Sequence, residues 1–130
     1  MSLTINQITK HFEENFVIDA ISFSVAKNSI CALLGPSGCG KSTLLSIIAG
    51  LIQPENGEIC WNGMHLSDLQ PHQRNFGLVF QDYALFPHLN VADNIGFGLR
   101  MQGKDQAFIK ERVQHLLSLV ELEDYAKRNV

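Results

Sequence analysis

The order of hydrophobic and polar positions predicts a chain in which strands and helices alternate. Around residues 3–5 and 21–25, hydrophobic side chains alternate with polar ones, which is typical of strands with one buried face. Two continuous apolar runs, 29–34 and 76–80, predict strands that are buried on both faces. A further short strand is predicted at 58–61.

Three helices are predicted from apolar spacing and end signals. The first covers 41–50, after the glycine-rich stretch that follows the run at 29–34, and is stopped by Gly50. The second covers 91–101, with Asn90 as its N-cap and Asp93 in its first turn. The third covers roughly 104–120. Its predicted apolar face consists of Ile109, Val113, Leu116, Leu117 and Val120.

The dipeptide Asn62-Gly63 follows the short strand at 58–61 and is typical of a tight hairpin turn. Both residues tolerate the positive φ angles that such a turn requires. A β-hairpin is therefore predicted around this position.

Composition narrows the possible functions. The chain has 130 residues, of which 45% are hydrophobic, enough for a sizeable core. A formal charge of −3 gives no electrostatic reason to expect nucleic acid as a partner. The five histidines lack ligand spacing in the sequence, so no structural metal is predicted.

The cysteines and the apolar segments indicate a cytosolic protein. The three cysteines form no CxxC pair, and Cys31 is predicted as a small core residue. The N-terminus shows no basic leader followed by an apolar stretch, so no signal peptide is expected. The longest charge-free apolar stretches are shorter than the roughly 18 residues of a membrane span, so any membrane role would require a partner.

The stretch GPSGCGKST, residues 35–43, carries the strongest chemical signal. An apolar strand, the pattern G-x-x-x-x-G-K-[ST] and a helix together predict a phosphate-binding P-loop. Bare glycine backbone can curl around phosphates, and the helix N-terminus presents N–H groups and a positive dipole end to them. The predicted nucleotide-binding residues here are Gly35, Pro36, Ser37, Gly38, Cys39, Gly40, Lys41, Ser42 and Thr43.

Individual roles follow from side-chain chemistry. Lys41 is predicted to bring its charge to the β and γ phosphates, and Ser42 to ligate Mg²⁺. Thr43 can bond on the α-phosphate side, and Cys39 is interpreted as a spacer within the loop.

Around this loop, the chain resembles the ATP-binding subunit of an ATP-binding-cassette (ABC) transporter. The resemblance runs through LTINQITKHF, the P-loop and FQDYALFPHLNVADNI, in family order. It is closest to the bacterial importer subfamily that serves ferric iron, polyamines, sulfate and maltose-type sugars. The implied fold is an α/β P-loop NTPase with an N-terminal antiparallel β subdomain, a partial RecA-like core and the start of the helical subdomain.

The resemblance also assigns residues outside the P-loop. Phe12 takes the place of the aromatic residue that stacks on adenine, the alternative being a core aromatic. Gln81 matches the Q-loop glutamine at the end of the predicted strand 76–80, a weak Mg²⁺ ligand that reports the nucleotide state. The alternative is a residue that only makes a hydrogen bond at the strand end. The implied cofactors are ATP and Mg²⁺, and the implied catalytic residues are Lys41 and Gln81.

The segment 82–91, which starts at Asp82 and ends at Val91, would receive the coupling helix of a transmembrane permease. Its apolar residues Tyr83, Leu85 and Phe86 are expected on a loop, where such residues often mark an interface. For any one of them, filling the local core is the alternative. The resemblance further implies a second ATP-binding subunit in a dimer and, indirectly, a periplasmic or lipoprotein binding protein.

The family's LSGGQ signature loop, Walker B strand, following glutamate and switch histidine do not occur in these 130 residues. The chain is therefore interpreted as the N-terminal part, 1–130, of one ATP-binding domain. On its own it is expected to lack ATP hydrolysis, whereas the full-length subunit would be an ABC-type transport ATPase on the inner face of the cell membrane.

Two other functions remain open from sequence. One is a soluble ABC ATPase in translation or DNA repair, against which the importer-like segment 82–91 argues. The other is a small P-loop metabolite kinase, disfavoured by the strands ahead of the loop. Ferric iron is the first expected transported substrate and polyamine the second.

Overall fold

The computed structural model describes residues 2–12, 15–82 and 84–130, and for residues 12, 15 and 16 it describes the backbone alone. The described chain forms two compact units, Met1–Leu78 and Val79–Val130. Within the described ranges, no helix combines the length and the apolarity that crossing a bilayer would need.

The first unit is built on a four-stranded antiparallel sheet. Its strands are β1 (Leu3–Phe12), β2 (Asn15–Val25), β3 (Asn56–Trp61) and β4 (Met64–His65), in the order β2-β1-β3-β4. The strands predicted near 3–5, 21–25 and 58–61 are confirmed. So is the hairpin: Asn62 and Gly63 have φ angles of 55° and 79° and join β3 to β4.

One face of this sheet packs against helix α1 (Lys41–Ala49), which ends at Gly50 as predicted. Ile5 and Ile8 of β1 and Ile59 of β3 supply the sheet side of the core. Ile5 and Ile8 are three positions apart, and both reach the core because an irregularity at Gln7, where φ is 51°, interrupts the alternation of β1. Ile47 of α1 is fully buried among them. The buried core of this unit consists of Ile5, Ile8, Ile18, Leu44, Ile47, Ile59 and Leu66.

The C-terminal end of helix α1 is also bonded by a buried arginine, Arg74, which is the last residue of the short helix α2 (Pro71–Arg74). The side chain of Arg74 donates to the carbonyl oxygens of Ile47 and Ile48, each at 3.0 Å, and to that of Leu69 at 3.1 Å. Burial lowers the pKa of the Arg74 guanidinium. A cation at this position faces the negative end of the α1 dipole.

Where the chain enters β3, Glu55 connects two strands. Its carboxylate accepts from the side chain of Lys10 at 3.3 Å and contacts the ring Nδ1 of His11. Its own N–H donates to the carbonyl of Thr9 at 3.0 Å. The hydrogen bonds, first that from the His11 side chain and then that from its backbone, lower the pKa of Glu55 to about 2.

The predicted strands at 29–34 and 76–80 are wrong for the described structure, in which neither segment forms a ladder. Ile30 and Leu34 are 100% and 92% exposed, and Cys31, predicted as a core residue, is exposed as well. An apolar run indicates that a segment tends to be buried. A strand also needs neighbouring strands that pair with its N–H and C=O groups, and the run itself does not specify them.

The second unit contains two helices, α3 (Val91–Met101) and α4 (Gln106–Leu119), followed by a short 3₁₀ turn at Glu123–Tyr125. Helix α3 has the predicted bounds, and its N-cap side chain, Asn90, accepts from the N–H of Asp93 at 2.8 Å. Helix α4 begins after its own N-cap, Asp105.

The two helices pack through a glycine contact. A Cβ at Gly96 of α3 would lie 3.1 Å from Ile109 and 3.4 Å from Val113, so the missing side chain permits the close approach. On the predicted apolar face of α4, Val113 and Leu117 are buried. Val120 is wrong as a member of this face, since it follows the helix as its C-cap and is 57% exposed.

Candidate phosphate-binding site

The glycine loop 35–40 leads directly into α1, whose first residue is Lys41. Gly40 precedes the helix with φ at 87°, a left-handed conformation that glycine adopts without strain. A Cβ at Gly40 would lie 2.4 Å from the carbonyl oxygen of Val17 in β2. Glycine is therefore required twice here, by the backbone conformation and by the close approach of β2.

The start of α1 presents donors and a positive dipole end. The first intrahelical bond runs from the N–H of Leu44 to the carbonyl of Gly40 at 2.8 Å. Helix geometry therefore leaves the N–H groups of Lys41, Ser42 and Thr43 without an intrahelical acceptor. Such a helix end favours a negatively charged ligand.

The Lys41 ammonium lies over the same loop. Its Nζ donates to the carbonyl of Gly35 at 2.9 Å and to that of Pro36 at 2.7 Å, and lies 3.3 Å from the Sγ of Cys39. The side chain thus folds back onto the loop instead of extending into solvent. Because Lys41 is the first residue of α1 and bonds Gly35, six positions earlier, its charge lies close to the N-terminus of the helix.

The remaining loop residues leave this site accessible. Pro36, Ser37, Gly38 and Cys39 are exposed. Ser42 is exposed and Thr43 half-buried in the first turn of α1. Their position makes the Ser42 hydroxyl available for a metal ion beside a phosphate, which is the chemistry predicted for it.

A cleft of about 300 Å³ borders the loop where it meets β2. Gly40 and Lys41 contribute to its wall, together with Asp19 and mainly apolar side chains of β2. The residues present fit a phosphate-bearing ligand, because a cation, helix N–H groups and a conformation restricted to glycine coincide at one place.

Two further predicted nucleotide contacts stay predictions. The side chain of Phe12 lies outside the described residues. Gln81 is exposed and lies in a turn of the second unit, so its predicted position at the end of a strand is wrong. Pairing it with Ser42 around Mg²⁺ therefore stays a prediction.

In the second unit, the segment 82–91 is shaped by a side chain that sequence reasoning missed. Asn94 of α3 accepts from the N–H of Phe86 at 2.9 Å. Its amide nitrogen donates to the carbonyls of Phe86, Leu89 and Asn90 at 3.0–3.1 Å. An asparagine in a helix gives no sequence signal for this role, which depends on where the loop folds back.

The apolar residues of this segment differ in their surroundings. Leu85 is 56% exposed. Phe86 is partly covered, since its ring centroid lies 4.2 Å from that of Phe97 in α3. Tyr83 lies outside the described residues. Among the large apolar side chains of this segment that the structure describes, Leu85 is thus the most exposed.

The sheet, glycine loop and helix N-terminus described above define a P-loop protein. Comparison with known proteins agrees: the profile of the ABC transporter family matches residues 18–130. The chain therefore belongs to the ABC transporter family.

Two curated relatives are spermidine/putrescine import ATP-binding proteins named PotA. The one from Borrelia garinii subsp. bavariensis is 44% identical over 130 residues, covering 98% of this chain and 38% of the relative. The one from Acetivibrio thermocellus is 43% identical over 128 residues, covering 98% of this chain and 36% of the relative. The chain thus spans less than two fifths of either relative's length.

The fold has a close solved counterpart. A dimeric structure of the ATP-binding cassette MJ0796, in a post-hydrolysis state bound to ADP and Pi, superposes with a TM-score of 0.84 at 25% identity. The match covers 98% of this chain and 61% of the other. The predicted α/β P-loop NTPase fold is therefore confirmed.

Proposed function

We propose that the chain forms the nucleotide-binding part of an ATPase subunit that drives import through a membrane permease. The observation that carries the proposal is the meeting of Lys41, the N-terminus of α1 and Gly40 in one exposed loop. Residues 1–130 would then be the N-terminal part of one ATP-binding domain. Family membership favours this function over that of a small metabolite kinase.

In this function the loop holds ATP by its phosphates. The N–H groups of the first turn of α1 donate to phosphate oxygens, and Lys41 exchanges the carbonyls of Gly35 and Pro36 for the β and γ phosphates. Ser42 would hold Mg²⁺, and Gln81 keeps its predicted role as a Mg²⁺ ligand from the family resemblance alone. Bound there, Mg²⁺ supplies charge neutralisation on the phosphates. Phe12 would stack on the adenine.

The imported substrate is proposed from the relatives. Both PotA relatives carry names that specify spermidine and putrescine, which favours a polyamine over the ferric iron expected first from sequence. The P-loop subunit does not itself select the substrate. That choice belongs to the permease and to a periplasmic or lipoprotein binding protein.

The assembly follows from the same reasoning. The exposed Leu85 and the loop around it would contact a permease, and a second ATP-binding subunit would form a dimer like that of MJ0796. Such a subunit would work at the inner face of the cell membrane. We still predict that these 130 residues alone do not hydrolyse ATP, because the catalytic glutamate and switch histidine implied by the family are not among them.

The proposal is tested by measuring binding of ATP to the purified protein by calorimetry with and without Mg²⁺. Lys41→Ala should weaken binding at least about tenfold, because hydrogen bonds to a charged group contribute about 1.5–3 kcal/mol. Lys27→Ala, in an exposed turn, is the matched control and should bind as the unmodified protein does. Folded protein without ATP binding, or equal affinity after Lys41→Ala, would refute the proposal.

A further inference from the structure

A cluster of three potential metal ligands lies on the hairpin formed by β3 and β4, away from the loop. The ligand atoms of Glu58, Cys60 and His65 all lie within 4.8 Å of one another. The Sγ of Cys60 is 3.5 Å from the Nδ1 of His65, and this nitrogen is 3.9 Å from the Oε2 of Glu58. We propose that these three residues bind a transition-metal dication of the Zn²⁺ class.

Strand geometry brings the three side chains together. Glu58 and Cys60 are two residues apart on β3, so they point to the same face of the sheet. Cys60 and His65 are directly paired across β3 and β4, which places their side chains next to each other. The intervening Ile59 points the other way and is buried in the core, so the cluster lies on the outer face.

The hairpin holds this pairing in register. The turn has two residues, Asn62 and Gly63, both in left-handed conformations, which fixes Trp61 opposite Met64 and therefore Cys60 opposite His65. Asn62 is further bonded to Ser2, by backbone at 2.9 Å and through its side chain at 2.7 Å. The ligand positions are thus set by the folded backbone before any ion arrives.

The distances between ligand atoms suit tetrahedral coordination. Zn²⁺ bonds of about 2.3 Å to sulfur and about 2.0–2.1 Å to nitrogen or oxygen place neighbouring ligand atoms about 3.3–3.6 Å apart. The Cys60–His65 separation already has this value, whereas the Glu58 oxygen, 3.9 Å from the His65 nitrogen and within 4.8 Å of the Cys60 sulfur, has to move closer to the other two ligand atoms. Its side chain and that of His65 are 58% and 61% exposed, so both can adjust.

The donor set selects the type of ion. Sulfur and imidazole nitrogen favour Zn²⁺ or a chemically similar ion over Mg²⁺ and Ca²⁺, which prefer oxygen. Binding releases the Cys60 thiol proton to solvent and forms a metal–thiolate bond, with no change in oxidation state. Thiolate and carboxylate together neutralise the charge of a dication, and the fourth position remains for water.

Sequence spacing does not reveal this site. Glu58, Cys60 and His65 fit no finger or CxxC pattern, which is why no structural metal was predicted. An antiparallel hairpin places residues in contact according to its register, so its ligands need no characteristic spacing along the chain. The proposal does not rest on the proposed function, because none of the three residues belongs to the P-loop.

The test is a titration of the purified, reduced protein with Co²⁺, followed by displacement with Zn²⁺. We expect one equivalent to bind at micromolar concentration, with a near-ultraviolet band from thiolate-to-Co²⁺ charge transfer. Cys60→Ser should abolish this band, while Cys31→Ser, which alters another accessible thiol, should leave it intact. A band that survives Cys60→Ser, or no saturable binding by the unmodified protein, would overturn the proposal.

The exposed ligands provide a second test that does not depend on folding of the Cys60 variant. His65→Gln and Glu58→Gln should each weaken Co²⁺ binding at least tenfold, while the far-ultraviolet circular dichroism spectrum stays that of the unmodified protein. His115→Gln, on the exposed side of α4, is the matched control and should leave the affinity unchanged. Equal affinities for all three variants would place the ion elsewhere and refute the assignment.

Discussion

The guanidinium of Arg74 donates through Nη1 to the main-chain oxygen of Ile47 over 3.0 Å, although the two residues lie 27 positions apart in the chain. The same nitrogen also bonds Ile48, and Nε bonds Leu69. A buried side chain thus donates to two carbonyls at the end of α1, that of Ile48 and that of Ile47, which also accepts from the N–H of Gly50 at 3.0 Å.

This relationship predicts a stability effect. Arg74→Met should lower the free energy of unfolding by about 2–3 kcal/mol, because it removes the hydrogen bonds that a charged donor makes to the carbonyls of Ile47, Ile48 and Leu69. The measurement is urea denaturation followed by circular dichroism. Arg112→Met, on the exposed side of α4, is the control and should change stability by less than about 0.5 kcal/mol. Similar midpoints for the two variants would show that the Arg74 bonds do not stabilise α1.

The P-loop glycines predict unequal effects of added methyl groups. Gly40→Ala combines a left-handed φ with a contact of 2.4 Å to the Val17 oxygen, whereas a Cβ at Gly38 meets no atom within 4 Å. Gly38→Ala should therefore cost about 1 kcal/mol of backbone strain. Gly40→Ala should lower the free energy of unfolding by clearly more than this. It should also weaken ATP binding at least about tenfold, because the loop must move away from β2.

Thermal unfolding and nucleotide binding, measured on both variants, check this prediction. Equal losses in the two variants would mean that strain alone, without the approach of β2, determines the need for glycine. Greater damage from Gly38→Ala would contradict the described loop geometry.

Glu55 predicts a pH dependence of stability. Its pKa in the folded protein is about 2, against an ordinary value of 4.5, mainly because of the hydrogen bond with the His11 side chain. The folded state therefore favours the ionised carboxylate. Its contribution to stability is complete above the ordinary pKa and is lost as the pH falls from about 4.5 to about 2.

Glu55→Gln should remove this component, so its urea midpoint should fall less steeply across that pH range than the midpoint of the unmodified protein. The variant should also be less stable at neutral pH. Glu111→Gln, an exposed carboxylate of α4, serves as the control and should keep the original pH profile. Parallel profiles for the unmodified protein and Glu55→Gln would disprove the linkage.

Leu85 predicts a separation of folding from assembly in the full-length subunit. Leu85→Asp places a charge on a side chain that is 56% exposed, so folding and ATP binding should persist. Burying that charge against a permease would commonly cost several kcal/mol, so co-purification and transport should fall.

Leu119→Asp provides the matched control at another exposed leucine, at the end of α4, and should retain assembly. Phe86→Asp is less informative because Phe86 packs on Phe97 and its loss should also disturb α3. Normal transport by Leu85→Asp would count against this segment as the docking surface.

The elements that were predicted correctly are those specified by nearby residues. Helix α3 has its predicted bounds because the Asn90 cap and the apolar pattern of 91–101 are local signals. The P-loop is local in the same way: its glycines, Lys41 and the start of α1 lie within nine consecutive positions.

What sequence did not predict depends on contacts between distant segments. The runs at 29–34 and 76–80 have strand composition, but strand formation depends on pairing partners that composition does not specify. Arg74 gives no sequence signal for capping α1 because its acceptors lie 26 and 27 residues away. The cluster of Glu58, Cys60 and His65 likewise appears only once the register of the hairpin is known.

The order of strands in the sheet has a consequence for the folding kinetics. β1 pairs with β2 through a short connection, but also with β3, where Leu3 lies opposite Trp61. The chain between β1 and β3 is much longer and includes the P-loop and α1. Because closing a longer loop costs more entropy, we expect the β1–β2 hairpin to form first and β3 to join late. Gly40 approaches β2, while the core beneath α1 includes Ile59 of β3. The packing of α1, which carries the phosphate-binding loop, would therefore be completed only after β3 has joined the sheet.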